Sequence, residues 1–275
     1  MKKFIIAALM LTASSATFAQ FTNGGSKGGD NSDYNKVSAS FTLGSFSEKF
    51  YGTSFDGTGL YGFSVGYSHG FSLSQNLPIF LEVGGEFNFH SGSSKNYIGP
   101  SHFAKGLDAE YIANYMERHG DDWAEDMAEK ILDRVEDYLE EDIDKATETT
   151  LTFMNIAVPV NFSYRFDVSD KFSIAPYAGL NLKLNIIGKA KAKGATESTS
   201  FFKKDDFKKA ELDEDLTANR FQLGMNLGVN CIINKKFSAG YRFQPDFIGY
   251  QSYNKNGIDY STKITSHYFT FGYIF

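Results

Sequence analysis

This chain of 275 residues has a single cysteine, one tryptophan and five prolines, and it contains no run of about 20 consecutive apolar residues. One cysteine, Cys231, cannot form an intramolecular disulfide framework. Without a long apolar run, a bundle of transmembrane helices is excluded. The formal net charge of −6 excludes a strongly basic nucleic-acid-binding domain, so no nucleic-acid partner is expected.

Aromatic residues and glycine, by contrast, are abundant. The chain has 27 phenylalanines, 16 tyrosines and 26 glycines. Disordered segments are poor in aromatic residues, so this composition predicts a folded protein. The mean hydropathy of −0.30 is typical of a soluble protein, and the pattern along the chain must decide whether that reading holds.

The first 19 residues have the pattern of a secretory signal peptide. Lys2 and Lys3 precede an apolar stretch over residues 4–11, and small residues at Thr17 and Ala19 suit a cleavage site before Gln20. The alternative, an N-terminal membrane anchor, needs a longer apolar stretch. We therefore expect an exported protein with a signal peptide over 1–19 and a flexible segment over 20–35.

The rest of the chain alternates between apolar and polar residues with a period of two, which predicts β-strands. Seven of the eight segments are ten residues or longer, the length at which a tilted strand crosses a bilayer, and the seventh, 237–244, could extend to Tyr250. The segments are 37–46, 60–70, 79–90, 151–166, 172–187, 219–233, 237–244 and 262–275.

Two architectures use such strands: a soluble β-sandwich, and a transmembrane barrel that turns its apolar face to lipid. The links favour the barrel, because short links (second, fourth and sixth) alternate with long ones (first, third, fifth and seventh). We expect an all-β fold over residues 36–275: an eight-stranded, antiparallel, up-and-down transmembrane β-barrel in a bacterial outer membrane. An even number of strands places both termini on the periplasmic side.

The polar faces of these strands are rich in Gly, Ser and Asn, which suits the narrow, filled lumen of an eight-stranded barrel. An open channel is therefore not expected. Charged residues on these faces should pair with one another, because buried charges need partners. The predicted lumenal charge network comprises Glu82, Glu86, Arg165, Lys183, Arg220 and Arg242.

The last segment ends in alternating aromatic residues: Phe269, Phe271, Tyr273 and Phe275. This pattern resembles the C-terminal signature by which the outer-membrane barrel assembly machinery recognises its substrates. That machinery is therefore an expected partner during biogenesis, and outer-membrane lipid and lipopolysaccharide are expected partners afterwards. The alternative is the edge strand of a sandwich that happens to end in phenylalanine.

Residues 153–166, with a Val-Pro step at Pro159 and a Tyr-x-Phe end at Phe166, resemble a stretch of the PorT-like outer-membrane β-barrel proteins of Bacteroidota. The next strand carries Pro176-Tyr177-Ala178-Gly179, similar to the family's PYxGxG, and departs from it at Leu180 and Asn181. The resemblance implies an eight-stranded outer-membrane barrel, with a role in secretion or gliding for some members, and no catalytic residues. We expect a β-bulge near each proline, because proline removes a ladder donor.

The long link over residues 91–150 differs in character from the strands. Apolar residues from Ile112 to Ile143 recur every three to four positions, which predicts an α-helical insertion in the extracellular loop between strands 3 and 4. Residues 101–148 hold 16 acidic and five basic side chains, a net charge of −11. A protein partner, divalent cations or plain solvation could each account for this charge, although the spacing is not that of an EF-hand.

Some outer-membrane barrels are enzymes, so a lipid or peptide hydrolase with a site at the outer rim is the alternative function. It would require a nucleophile with histidine and an acid in reach. The five histidines show no spacing typical of such an enzyme; His90 and Glu86 could meet at the outer rim, or be polar interface residues. We expect a non-enzymatic protein without cofactor or metal, with a structural or binding role. One candidate role is that of an accessory subunit of an envelope or secretion complex.

Overall fold

The computed structural model describes residues 32–50, 53–94, 148–202, 218–255 and 258–275, and the fold is all-β. Eleven strands follow in chain order, of which eight are long staves (β1–β4, β6, β8, β9 and β11) and three are short additions (β5, β7 and β10). Their bounds are β1 Tyr34–Phe50, β2 Thr53–Ser72, β3 Ile79–Ser94, β4 Thr149–Tyr164, β5 Phe166–Ser169, β6 Phe172–Ala192, β7 Thr199–Ser200, β8 Phe221–Ile233, β9 Phe237–Pro245, β10 Gln251–Lys255 and β11 Ile258–Ile274.

The eight staves form a closed antiparallel barrel. Each stave pairs with its neighbour in the order β1-β2-β3-β4-β6-β8-β9-β11, and β11 pairs back onto β1. This closing ladder is long, running from Lys36 opposite Ile274 to Phe50 opposite Tyr260. The predicted eight-stranded antiparallel barrel is confirmed.

The barrel is inverted relative to a soluble protein, with apolar side chains outside and polar side chains inside. On β6, Leu182 is 56% exposed whereas its neighbour Asn181 is fully buried. On β11, Phe271 is 69% exposed and Ser266 fully buried. Successive side chains of a strand point to opposite faces, so one alternating pattern produces both surfaces. A soluble sandwich would bury the leucines instead.

One end of the barrel, here called the turn end, holds the chain ends and the short connections. Asn35 N–H donates to the carbonyl oxygen of Phe275 at 3.0 Å. Residues 73–78 join β2 to β3, and 234–236 join β8 to β9. Asn234 and Lys235 both have positive φ, at 51° and 58°, as the type I′ turn of a tight hairpin requires.

The opposite end, called the loop end, holds the connections that the sequence predicts to be long. The prediction is wrong for the first of them. β1 runs on to Phe50 and β2 begins at Thr53, so only two residues separate the strands. The extra strand residues include Ser, Thr and Gly and show no apolar alternation, and they extend the ladder through backbone pairing.

The bulges expected at the two strand prolines are not observed. Pro159 pairs with Asn181 and Pro176 with Val229 without a change of register. The β3–β4 ladder skips Pro159 but keeps its register on both sides, and Pro176 lies beyond the last β4–β6 pair. Neither missing N–H therefore forces a shift. The β4–β6 bulge lies instead between Met154 and Asn155.

Several predicted segments lie outside the described residues: the signal peptide over 1–19, most of the flexible segment over 20–35, and residues 95–147 of the helical insertion predicted over 91–150. The ends of that predicted insertion, 91–94 and 149–150, belong instead to β3 and β4. β1 begins at Tyr34, two residues before the predicted start of the barrel. In the part of the chain that the structure describes, there is no helix long and apolar enough to cross a membrane.

A glycine on β2 permits the close approach of β3. The Cβ of an alanine at Gly62 would lie 1.8 Å from the carbonyl oxygen of Phe89. We expect Gly62→Ala to lower the free energy of unfolding by about 1–3 kcal/mol, because the strands must move apart. Gly59→Ala on the same strand is the matched control, since nothing lies within 4 Å of its Cβ. Urea titration followed by circular dichroism measures both, and equal stabilities would contradict this packing.

Candidate functional site: a charged lumen closed at both ends

The strongest interaction in the lumen joins β3 to β9 across the barrel. Arg242 donates through both terminal nitrogens to the two carboxylate oxygens of Glu86, at 2.7 and 2.8 Å. The guanidinium carbon lies 3.9 Å from the ring centroid of Tyr268. This two-point geometry is the strongest form of the arginine–carboxylate contact, and both side chains are almost buried.

Glu82, four residues nearer the turn end than Glu86 on β3, is held by two residues at the start of β1. Lys36 Nζ donates to one carboxylate oxygen at 2.6 Å, and the Tyr34 hydroxyl donates to the other. Glu82 is therefore paired in charge and satisfied at both oxygens. The inward positions of Lys36 and Tyr34 follow from the alternation of β1.

A third ion pair joins β6 to the end of β9. Lys183 Nζ lies 2.6 Å from Asp246 Oδ1, and both side chains are buried. Asp246 is missing from the predicted network because the apolar alternation of β9 stops near Gln244. Arg242, Gln244 and Asp246 are nevertheless spaced two residues apart, as inward-facing residues of one strand are, and this spacing could have identified Asp246.

Between the ion pairs, amide side chains hydrogen-bond to one another, either between neighbouring strands or across the lumen, and sequence reasoning did not predict them as partners. Carboxamides are uncharged, so they fill the interior without requiring a counter-ion. Their donor-to-acceptor distances are 2.9 Å for Asn88 to Asn155, 2.9 Å for Asn226 to Asn161, 2.8 Å for Asn181 to Gln244 and 3.0 Å for Asn185 to Gln222.

Two predicted members of the network have other surroundings. Arg165 lies at the turn end, with its guanidinium carbon 4.6 Å from the Phe80 ring centroid and 5.2 Å from that of Tyr34. Arg220 precedes β8, is exposed, and lies over the Phe202 ring at 4.5 Å. The structure therefore places Arg220 outside the lumenal ion pairs, because β8 begins at Phe221, two residues later than the predicted segment over 219–233.

Apolar side chains close the lumen at both ends. At the turn end, Tyr34, Phe80, Ala175, Ile232 and Ile274 form a buried cluster. At the loop end, the rings of Phe46, Phe153, Phe201 and Tyr250 pack together with centroids 5.1 to 6.4 Å apart. Phe201 belongs to the link after β7, so a loop residue completes this plug.

A cavity of about 30 Å³ remains between the two plugs. Lys36, Glu82, Glu86 and Arg242 line it together with Tyr177 and Asn161. This volume suits one or two water molecules and is too small for a drug-sized ligand. The described lumen is therefore a packed interior and offers no continuous path for ions.

His90 does not form the rim site that the enzyme alternative considered. Its side chain is buried inside the lumen, with its ring 6.2 Å from that of Tyr268. Both carboxylate oxygens of Glu86 accept hydrogen bonds from Arg242. The described residues thus do not bring His90 and Glu86 together at an accessible edge.

The residues of the predicted C-terminal signature all lie on the outer surface of the barrel, three of them on β11 and Phe275 directly after it. Phe269, Phe271, Tyr273 and Phe275 are each between 41% and 69% exposed. The outward placement agrees with the alternation, and recognition by assembly machinery stays a prediction.

Similar folds occur among solved barrel structures, whereas no family model and no curated protein matches this sequence. Ail of Yersinia pestis is 10% identical, covering 87% of this chain and 99% of its own, at a TM-score of 0.32. Neisserial surface protein A is 15% identical (87% and 95%, TM-score 0.35), and OprG of Pseudomonas aeruginosa is 9% identical (90% and 98%, TM-score 0.39). At these TM-scores the likeness carries no functional inference, and membership of the PorT-like family stays a prediction.

The Glu86–Arg242 pair supplies a test of the lumen. Either Glu86→Leu or Arg242→Leu alone is expected to cost about 3–5 kcal/mol of unfolding free energy, because each leaves a buried charge unpaired. The double variant should recover part of this loss. Denaturant titration of all three gives the coupling energy. Replacing Lys193, whose pair with Glu148 is exposed, is the control and should change nothing measurable. Additive single effects at Glu86 and Arg242 would contradict a direct pair.

Proposed function

We propose that this chain is an integral outer-membrane protein. The observation that carries the proposal is the apolar outer surface of a closed barrel whose interior is polar and packed. Exposed Phe, Leu, Val and Tyr side chains occur on the staves around the barrel, and such a surface is unfavourable in water but suits hydrocarbon. Examples on six staves are Phe41, Phe63, Phe162, Leu182, Leu227 and Phe271.

The direction of insertion follows from the connections. Outer-membrane barrels have short periplasmic turns and longer external loops. The turn end, with Asn35 hydrogen-bonded to Phe275, would then face the periplasm, and the loop end would face the exterior. Recognition of Phe269, Phe271, Tyr273 and Phe275 by the barrel assembly machinery fits the same orientation, since these residues lie on the outside of the closing strand.

A structural or binding role suits this barrel better than conduction or catalysis. Ion pairs and amide contacts fill the described lumen, and aromatic rings close it. We therefore propose a non-enzymatic protein that acts through what it displays at the loop end. The acidic segment over residues 101–148, with a net charge of −11, is the displayed feature, and a basic surface on an envelope partner would suit it.

Membrane placement predicts different costs for two arginine substitutions on the outer surface. Leu180, half exposed near the middle of β6, should lie near the bilayer midplane, so Leu180→Arg is expected to cost about 2–4 kcal/mol. Thr152→Arg, at the loop end of β4, should cost less than about 1 kcal/mol, because it lies near the interface. Folding into phosphatidylcholine vesicles, followed by the faster migration of the unboiled barrel in a gel, measures both. Equal tolerance of arginine at the two sites would contradict a lipid-facing band.

Removal of the acidic segment tests the displayed role. A chain lacking residues 101–148 should still assemble as a barrel, since β3 and β4 pair through their own ladder from Ser94 opposite Thr149. It should lose a partner that co-purifies with the full chain from native membranes. A variant with eight of the acidic residues changed to amides separates the effect of charge from that of length. Unchanged assembly with unchanged co-purification would contradict the proposal.

A further inference from the structure

The outer surface of the barrel changes character abruptly at one level on β3, β4 and β6. Phe89, Met154 and Ile187 lie side by side in register on these strands and form an apolar row. Two residues further toward the loop end, the row in register is Ser91, Thr152 and Lys189. Apolar residues thus give way to hydroxyl and ammonium groups within one side-chain step, about 7 Å along the strand.

The next row repeats the pattern, with Ser93, Thr150 and Lys191 in register. Together the two rows form what is here called the lysine–hydroxyl patch: Ser91, Ser93, Thr150, Thr152, Lys189 and Lys191. The Ser93 and Thr150 hydroxyls lie 2.7 Å apart, and the Ser91 hydroxyl donates to the backbone carbonyl of Leu151 at 3.0 Å. Both lysines are exposed.

The charge of the patch is not compensated within the described residues. Lys193, one step further along β6, pairs with Glu148 at 2.9 Å. Lys189 and Lys191 have no ion-pair partner in the part of the chain that the structure describes. They are separated by about 7 Å along one strand, so the two flexible side chains can reach a single anionic group between them.

We propose that the lysine–hydroxyl patch binds the headgroup of a phosphorylated glycolipid of the outer leaflet. The two ammonium groups would contact a phosphate, and the four hydroxyls would hydrogen-bond to sugar. The acyl chains would lie against the row of Phe89, Met154 and Ile187 directly beneath. This inference rests on the proposed membrane location, because only then does the change between rows coincide with the level of the headgroups.

The experiment uses the full chain inserted in phosphatidylcholine vesicles that contain either a phosphorylated glucosamine glycolipid or the same glycolipid without phosphate. Only protein that shows the fast-migrating folded form is compared, so failed insertion, which would count against the membrane proposal, is scored separately. Lipid retained after detergent extraction is counted by native mass spectrometry. The variant K189Q/K191Q is compared with K171Q/K236Q, which removes two exposed lysines at the turn end.

The wild type and the turn-end variant should retain the phosphorylated glycolipid in preference to the unphosphorylated form. K189Q/K191Q should lose roughly 25-fold in apparent affinity, since each lysine near an anionic lipid surface contributes about a fivefold gain. Inorganic phosphate at the same concentration should not displace the lipid. Equal retention by K189Q/K191Q and the wild type would overturn the proposal. Displacement of the lipid by inorganic phosphate would also overturn the proposal. So would lipid retention that appears only after deletion of residues 101–148, because the acidic segment would then be the occupant of the lysine–hydroxyl patch in the full chain.

Discussion

The rest of the structure depends on the ladder between the first and last staves. In hydrocarbon there is no water to satisfy backbone N–H and C=O groups, and every unpaired group costs several kcal/mol. An open sheet has two such edges, and here the pairing of β1 with β11 along most of its length removes both. Closure then fixes the lumen, because eight tilted strands enclose only enough space for side chains. The contents of that space follow: three ion pairs, a set of amides and two apolar plugs.

The interior of this barrel is made from the polar side of every strand, an arrangement that is rare in soluble proteins. A buried charge is stable there only beside an oppositely charged partner, and the two-point contact between Arg242 and Glu86 is the clearest case. Amides carry no net charge and join neighbouring or facing strands, so they fill most of the remaining width. Aromatic rings appear where the polar series ends, and they separate the paired charges from water at each mouth.

Much of this was predictable from local pattern, and the remainder depends on relations across the barrel. Alternation identified the eight staves and placed Glu86, Lys183 and Arg242 on the inside, because the face of a residue is set by its neighbours in sequence. It did not identify Asp246 as the partner of Lys183, since that contact depends on the stagger of strands 63 residues apart. The hairpin extension to Phe50 was not predicted because residues 47–50 and 53–59 show no alternation of apolar and polar side chains. Phe201 was missed because it lies in a link.

The position of the single thiol determines which molecules can reach it. Cys231 lies on the outward series of β8 with Leu227 and Val229, close to the turn end and partly exposed. An exported protein matures in an oxidising compartment, where a lone cysteine on a wet surface can form mixed disulfides. If the barrel lies in the outer membrane, as proposed, this side chain faces acyl chains and is separated from water-soluble thiols and disulfides, so no partner cysteine is required.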